Sequence, residues 1–104
     1  MNTFDERKKA FETKFERDQN AEFKIRAKRN NLIAIWASEK VQPENKEEYI
    51  KEVRLSDLEK PGDDDIIDKI LSDFKKNNLQ IQREEIIKKL EECEITAKSE
   101  TENN

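Results

Sequence analysis

Residues 1–41 read MNTFDERKKAFETKFERDQNAEFKIRAKRNNLIAIWASEKV and hold four of the five phenylalanines and the only tryptophan. On a helix of about 100° per residue, the apolar side chains of this stretch fall within about 100° of one another. The stripe that they form consists of Phe4, Phe11, Phe15, Ile25, Leu32, Ile33 and Trp36. Charged side chains at Asp18, Glu22 and Arg29 interrupt this face and divide the stripe into two parts. We expect the first part to dock onto a partner and the second to dock onto the rest of the chain.

The composition limits the size of the core. Charged residues are 44% of the 104 residues and hydrophobic residues are 33%, whereas an average domain has about 25% charged residues. One glycine and two prolines, together with abundant Lys, Glu, Ile and Leu, favour helices joined by few tight turns. No run of alternating β-branched residues indicates a strand. The sequence therefore predicts a single small all-α domain.

The few helix-breaking residues divide the chain into four predicted helices. Pro43 ends the first, Pro61 and Gly62 end the second, and Asn77 and Asn78 end the third. The predicted helices are residues 3–39, 44–59, 63–76 and 82–97. Their short connections predict an antiparallel type of four-helix bundle.

Three segments of different character follow from this pattern. The first helix is expected to be interrupted near residues 19 and 20, which separates residues 1–19 from the bundle of residues 20–97. A hinge is expected between them, around residues 18–22. The tail, residues 98–104, has no large apolar side chain and is predicted to be disordered.

The sequence excludes most catalytic and metal chemistry. With no histidine, histidine metal sites and Ser-His or Cys-His nucleophile pairs cannot form. Cys93 is the only cysteine, so it is expected to be a small packing residue in phase with Ile86 and Leu90. The acidic run at residues 63–65 lacks the ligand pattern of a calcium loop and is predicted to cap a helix. We therefore predict no enzyme activity, no cofactor and no metal site.

The charge is divided unevenly along the chain. The first 41 residues carry a small net positive charge and the remainder a larger negative charge, with a pI of about 5.1. The densest basic patch is Lys24, Arg26, Lys28 and Arg29. The low pI disfavours nucleic acid as a partner, so the lysines of this patch, Lys24 and Lys28, are expected to lie on a solvated helix face. The sequence shows no signal peptide or membrane span, which predicts a cytoplasmic protein.

A series of short motifs extends along nearly the whole chain, up to about Leu90. In the first helix they are Thr3-Phe4-Asp5-Glu6-Arg7, Ala10-Phe11-Glu12, Lys14-Phe15, Phe23-Lys24, Ala27-Lys28-Arg29-Asn30, Leu32 and Trp36-Ala37. Further along they are Tyr49, Lys51-Glu52-Val53, Asp57, Glu59 and Pro61-Gly62-Asp63. In combination they resemble the zeta subunit of the alphaproteobacterial F1Fo-ATP synthase.

The resemblance implies a small inhibitor of ATP hydrolysis by F1. Family members have a four-helix bundle preceded by a mobile segment that inserts at an α/β catalytic interface and stops the central rotor. The implied partners are the α, β and γ subunits of F1, and the implied location is peripheral to the membrane-bound ATP synthase. Carried over to this sequence, the inhibitory segment is residues 2–19. The implied partner-binding residues are Phe4, Arg7, Lys8, Lys9, Phe11, Lys14, Phe15 and Arg17.

The residues themselves leave three alternatives open. A small enzyme or nucleotide-binding protein has the least support, because a chain with one glycine has no glycine-rich loop that could cradle a phosphate. Phe4, Phe11 and Phe15 could pack back onto the bundle as ordinary core. The chain could also be a helical adaptor or regulatory protein that docks onto another complex through the same three side chains. In each case we expect a monomer when the chain is free. Because histidine is absent, control by pH near neutrality would require a carboxylate with a raised pKa.

Overall fold

Four α-helices make up the part of the chain that the structure describes. The computed structural model describes the backbone of residues 3–57 and 62–102 and the side chains of residues 21–57 and 62–101. Helix α1 spans Thr3–Val41, α2 spans Lys46–Ser56, α3 spans Asp64–Lys76 and α4 spans Arg83–Glu102, with no strand in these ranges. The predicted all-α fold with four helices is therefore confirmed. The backbone of α1 is helical across the expected hinge at residues 18–22, and the side chains of residues 18–20 lie outside the described set.

The connection between α1 and α2 is short and well defined. Gln42 has a left-handed φ of 54°, and its N–H donates to the carbonyl of Ser38 at 2.8 Å. Pro43 follows and cannot continue the helix. The side chain of Asn45 then accepts a hydrogen bond from the N–H of Glu48 at 3.1 Å, which caps the start of α2. The predicted break between the first two helices is confirmed.

The connection between α2 and α3 differs from its prediction in two respects. Helix α2 ends at Ser56, and Leu58, which the sequence pattern places on this helix, lies outside the described residues. Gly62 has φ of 95°, a value that glycine adopts without strain. Asp63 occupies the N-cap position of α3, but its side chain makes no capping hydrogen bond. The predicted position of the acidic run at the start of the helix is confirmed, while the Asp63 carboxylate pairs with Arg29 rather than with a backbone N–H.

Helix α4 continues beyond its predicted end at Ala97. It runs to Glu102, so the prediction of a disordered tail is wrong over residues 98–102, while residues 103–104 lie outside the described chain. Ala97 is fully buried, and its packing holds this end of α4 against the bundle. The residues that follow include no glycine or proline, so the helical hydrogen bonding continues past the last buried side chain.

The core lies where the four helices meet, and α1 contacts each of the other three. Its buried side chains are Ile33, Ala34, Ala37, Tyr49, Val53, Ile66, Ile67, Ile70, Phe74, Ile86, Leu90 and Cys93. Leu32 and Trp36 pack against this core, and the Trp36 ring meets the edge of Phe74 with 5.4 Å between ring centres. The prediction that the second part of the α1 stripe docks onto the rest of the chain is confirmed.

Candidate partner-binding site

A buried polar cluster ties α1 to the end of α2. We name it the Asp57 cluster, and its members are Arg26, Arg29, Asn30, Asp57 and Asp63. Arg26 donates from Nε to Asp57 Oδ2 at 2.7 Å and from Nη2 to Oδ1 at 3.0 Å. Asn30 Nδ2 donates to the same Oδ2 at 2.7 Å. Charge-assisted and bidentate contacts of this kind are strong and directional, so they fix α1 against the turn that follows α2.

Arg29 is the more deeply buried of the two α1 cations in the Asp57 cluster, and only 4% of its surface is exposed. Its Nη2 lies 3.0 Å from Asp63 Oδ1, and its Nη1 lies 3.8 Å from Glu94 Oε1 on α4. It also donates from Nε to Asn30 Oδ1 at 3.1 Å. A buried cation is tolerated only when it is paired. Within the basic patch, Lys24 is exposed, as predicted for the lysines. Arg29 is buried, whereas Arg26 is partly exposed and pairs with Asp57.

The cluster lowers the pKa of Asp57 below its ordinary value. Burial alone would raise the pKa, but hydrogen bonds from Arg26 and Asn30 and the charges of Arg26 and Arg29 outweigh it. The hydrogen bond to Asp57 in turn raises the pKa of Arg26. This shift is opposite to the one that a carboxylate switch near neutral pH would need. The Asp57 cluster is thus a permanent structural contact at neutral pH.

A second buried carboxylate, Asp73, joins α2 to α3. The Tyr49 hydroxyl donates to Asp73 Oδ2 at 2.8 Å, and Lys69 Nζ lies 3.0 Å from the same oxygen. Lys69 Nζ also lies 5.6 Å from the centre of the Tyr49 ring. Burial and the hydrogen bond with Asp73 raise the pKa of Tyr49, so its hydroxyl remains a donor. These contacts fix α2 against α3.

A groove between α1 and α2 leaves apolar side chains open to solvent. It has a volume of about 510 Å³. We name it the Phe23 groove, and its outer lining is Phe23, Ala27, Ile50, Lys51, Arg54 and Leu55. Phe23 is 75% exposed and Leu55 is 50% exposed. Glu47 also reaches this groove, and Arg26, Asn30 and Asp57 of the Asp57 cluster line it as well. The groove combines exposed apolar side chains with three cations, of which Arg26 is paired with Asp57.

The sequence matches the family model of the ATPase inhibitor subunit zeta over residues 1–100. The chain belongs to this family. The match covers all four helices nearly to the end of α4, and it confirms the resemblance that the short motifs indicate. No curated protein sequence matches the chain.

The structure does not place the side chains that the zeta family resemblance assigns to partner binding. All of these residues fall in the part of α1 whose side chains lie outside the described set: Phe4, Arg7, Lys8, Lys9, Phe11, Lys14, Phe15 and Arg17. Their roles therefore stay predictions. The structure does describe the side chains of residues 21–41 of α1, where the Asp57 cluster and the core contacts hold this helix to the bundle.

Neither the Asp57 cluster nor the Phe23 groove was predicted from the sequence. A signal for the cluster was present, because Arg26 and Asn30 lie seven and three residues before Ile33 and share its helix face. A polar pair on a buried face requires partners from another helix. A signal for the groove was also present, since Phe23 lies off the apolar stripe and is large enough to need a contact. Neither signal identifies the partner residues.

Three other kinds of site find no support in the described residues. They contain no group of three or more side chains that could hold a metal ion, and the run at residues 63–65 contributes Asp63 to the Asp57 cluster instead. Cys93 is a buried free thiol, and burial raises its pKa, which confirms its predicted packing role. Within the described ranges, every helix is too short or too polar to cross a bilayer.

Proposed function

We propose that this zeta family chain inhibits ATP hydrolysis by the F1 part of an ATP synthase. Residues 2–19 insert at an α/β catalytic interface, reach toward the γ rotor and prevent rotation in the hydrolysis direction. The bundle stays outside the enzyme. The chain acts as a monomer without catalysis of its own, on the cytoplasmic side of the membrane-bound synthase.

The observation that carries this proposal is the family match, which extends across both the segment at residues 2–19 and the bundle. The length of α1 supports it. Helix α1 has 39 residues and α4, the longest other helix, has 20. At about 1.5 Å per residue, α4 can cover only about half of α1. Among the described side chains of α1, hydrogen bonds to other parts of the chain begin at Arg26.

The energetics of a short helical segment also fit an inserting inhibitor. Most helical stability in proteins comes from packing of an amphipathic face, so a partner groove would supply stabilising contacts for residues 2–19. Burial of Phe4, Phe11 and Phe15 is worth about 1.5–3 kcal/mol for each side chain. Their spacing along one helix face is typical of an amphipathic helix that binds in a groove.

The first test is a steady-state ATPase assay of the cognate F1 with the full chain and with a chain that lacks residues 2–19. We expect the full chain to suppress ATP hydrolysis and the shortened chain to have no effect at the same concentrations. Full inhibition by the shortened chain would overturn the proposed mechanism, because the bundle alone would then be sufficient.

A single substitution tests the assigned stripe. Phe11→Ala removes about 1.5–3 kcal/mol of apolar burial, so we expect the half-inhibitory concentration to rise by about 10- to 100-fold. The matched control is Ile95→Ala, since Ile95 is 69% exposed on α4 and is not part of the stripe. Equal effects of the two substitutions would show that the stripe is wrongly assigned.

A further inference from the structure

The Phe23 groove is an apolar surface that the bundle leaves uncovered. A single exposed apolar side chain needs no explanation, whereas several that line one groove form a concave site in which an apolar side chain of a partner can be buried. Phe23 on α1 and Leu55 on α2 line the same groove and are both at least half exposed. Ile50 and Ala27 extend the apolar lining between them. A partner side chain could therefore be buried here against four apolar neighbours.

The charges at this groove restrict the chemistry of its partner. Lys51 and Arg54 line it, and the ion pairs found among the described residues do not involve either of them. Arg26 is paired with Asp57, and Glu47 is the acidic side chain that offsets part of the positive charge. The complementary surface is an apolar side chain flanked by carboxylates.

The same charges argue against a second copy of this chain as the partner. In a symmetric dimer the same patch meets itself. The groove lining has more cations than carboxylates, so each copy would bring a net positive surface to the positive surface of the other, which is unfavourable. A different, acidic surface fits the groove better.

The position of the groove along α1 identifies the source of that surface. Phe23 lies four residues after residue 19, the end of the proposed inhibitory segment, on the same helix. Four residues of helix span only about 6 Å. A protein that receives residues 2–19 therefore brings its own surface next to the Phe23 groove.

We propose that the Phe23 groove is a second contact with the ATPase, occupied by an apolar side chain flanked by carboxylates at the rim of the site that receives residues 2–19. This inference rests on the proposed function. With these two contacts, residues 2–19 block the rotor. The groove contributes affinity and sets the direction in which α1 enters the enzyme.

The test compares half-inhibitory concentrations in the ATPase assay with the cognate F1. The double variant Phe23→Ser, Leu55→Ser should raise the half-inhibitory concentration by about 10-fold or more, while inhibition at saturation stays at the level of the unchanged chain. Ile95→Ser is the matched control, since Ile95 is similarly exposed but does not line the groove, and it should have no effect. A second variant, Lys51→Glu, Arg54→Glu, should raise the half-inhibitory concentration through the charges alone.

The outcomes separate this inference from the proposed function. If the unchanged chain fails to inhibit F1, the proposed function itself fails. If the unchanged chain inhibits and both double variants retain its half-inhibitory concentration, the groove inference is overturned while the proposed function stands. Sedimentation provides a further test. If the unchanged chain is a dimer and the Phe23→Ser, Leu55→Ser variant is a monomer, the groove inference is overturned, because the groove would then join two copies. Unchanged far-UV circular dichroism verifies that the variants fold.

Discussion

Asp57 follows the last turn of α2, and its carboxylate accepts hydrogen bonds from Arg26 and Asn30 of α1. Arg29 lies 3.7 Å from the same carboxylate and reaches Asp63 at the start of α3. One carboxylate thus joins elements that are distant in the sequence. Because Asp57 is only 4% exposed, replacing it leaves buried donors without an acceptor, which is more costly than losing a surface ion pair.

The substitution Asp57→Asn measures this contact. It keeps the shape of the side chain but removes the charge, so we expect the free energy of unfolding to fall by about 1–3 kcal/mol at pH 7. Urea denaturation followed by far-UV circular dichroism gives the value. The matched control is Asp68→Asn, since Asp68 is exposed and pairs with Arg83 on the surface. That change should lower the free energy by less than about 1 kcal/mol.

The difference in stability between the unchanged chain and the Asp57→Asn variant should also depend on pH in a defined direction. The pKa of Asp57 is lowered in the folded chain, and the unfolded value is about 3.9. As the pH falls, the unfolded chain therefore binds the proton first, and the stabilisation by ionised Asp57 is lost at acidic pH. The difference in free energy of unfolding should be constant from pH 7 to about pH 5 and shrink below about pH 4. A difference that stays constant to lower pH would contradict the assigned ion pair.

Individual buried polar residues are where the sequence is least informative. Arg29 and Asn30 carry polar side chains in a segment crowded with charge, and composition alone assigns such residues to the surface. Their burial depends on carboxylates at Asp57, Asp63 and Glu94, which come together only after the helices pack. Apolar periodicity, in contrast, is local. The burial of Ile33 beside Leu32 and Trp36 could therefore be predicted from α1 alone.

Helix ends show how packing extends an element beyond its apolar pattern. The apolar periodicity of α4 ends near Ala97, yet the helix continues to Glu102. The starts of α2 and α3 lie within two residues of their predicted positions, because proline and glycine mark those connections locally. The end of α4 has no such marker, so only the contact of Ala97 with the bundle determines how firmly the last turns are held.

The contact at Ala97 can be tested by glycine substitution. Ala97→Gly removes a fully buried methyl group and adds the helix penalty of glycine, so we expect the free energy of unfolding to fall by about 1–2 kcal/mol. Thr96→Gly is the control, because Thr96 is exposed on the same turn and should cost less than about 0.5 kcal/mol. Positive Cα secondary chemical shifts from Lys98 to Thr101 would verify the helix itself, and random-coil shifts there would contradict it.

Within the part of the chain whose side chains the structure describes, the core is small and begins at Ile33, in the second half of α1. The buried apolar side chains of the described chain extend from Ile33 to Ala97, so the bundle is built from the second half of α1 and the three helices that follow. This placement separates two roles within one chain. The bundle supplies stability, and the segment at residues 2–19 is left for the proposed contact with F1.

A chain without residues 2–19 should therefore be as stable as the full chain. We expect the free energy of unfolding in urea to change by less than about 0.5 kcal/mol, as followed by the fluorescence of Trp36, which packs on Phe74. Ile70→Val in the full chain serves as a measure of sensitivity, since Ile70 is fully buried and this change should cost about 0.5–1.5 kcal/mol. A loss of more than about 2 kcal/mol in the shortened chain would mean that Phe4, Phe11 and Phe15 pack on the bundle. Those side chains could then bind F1 only after leaving the bundle, and the free energy of binding to F1 would be weakened by the free energy of that release.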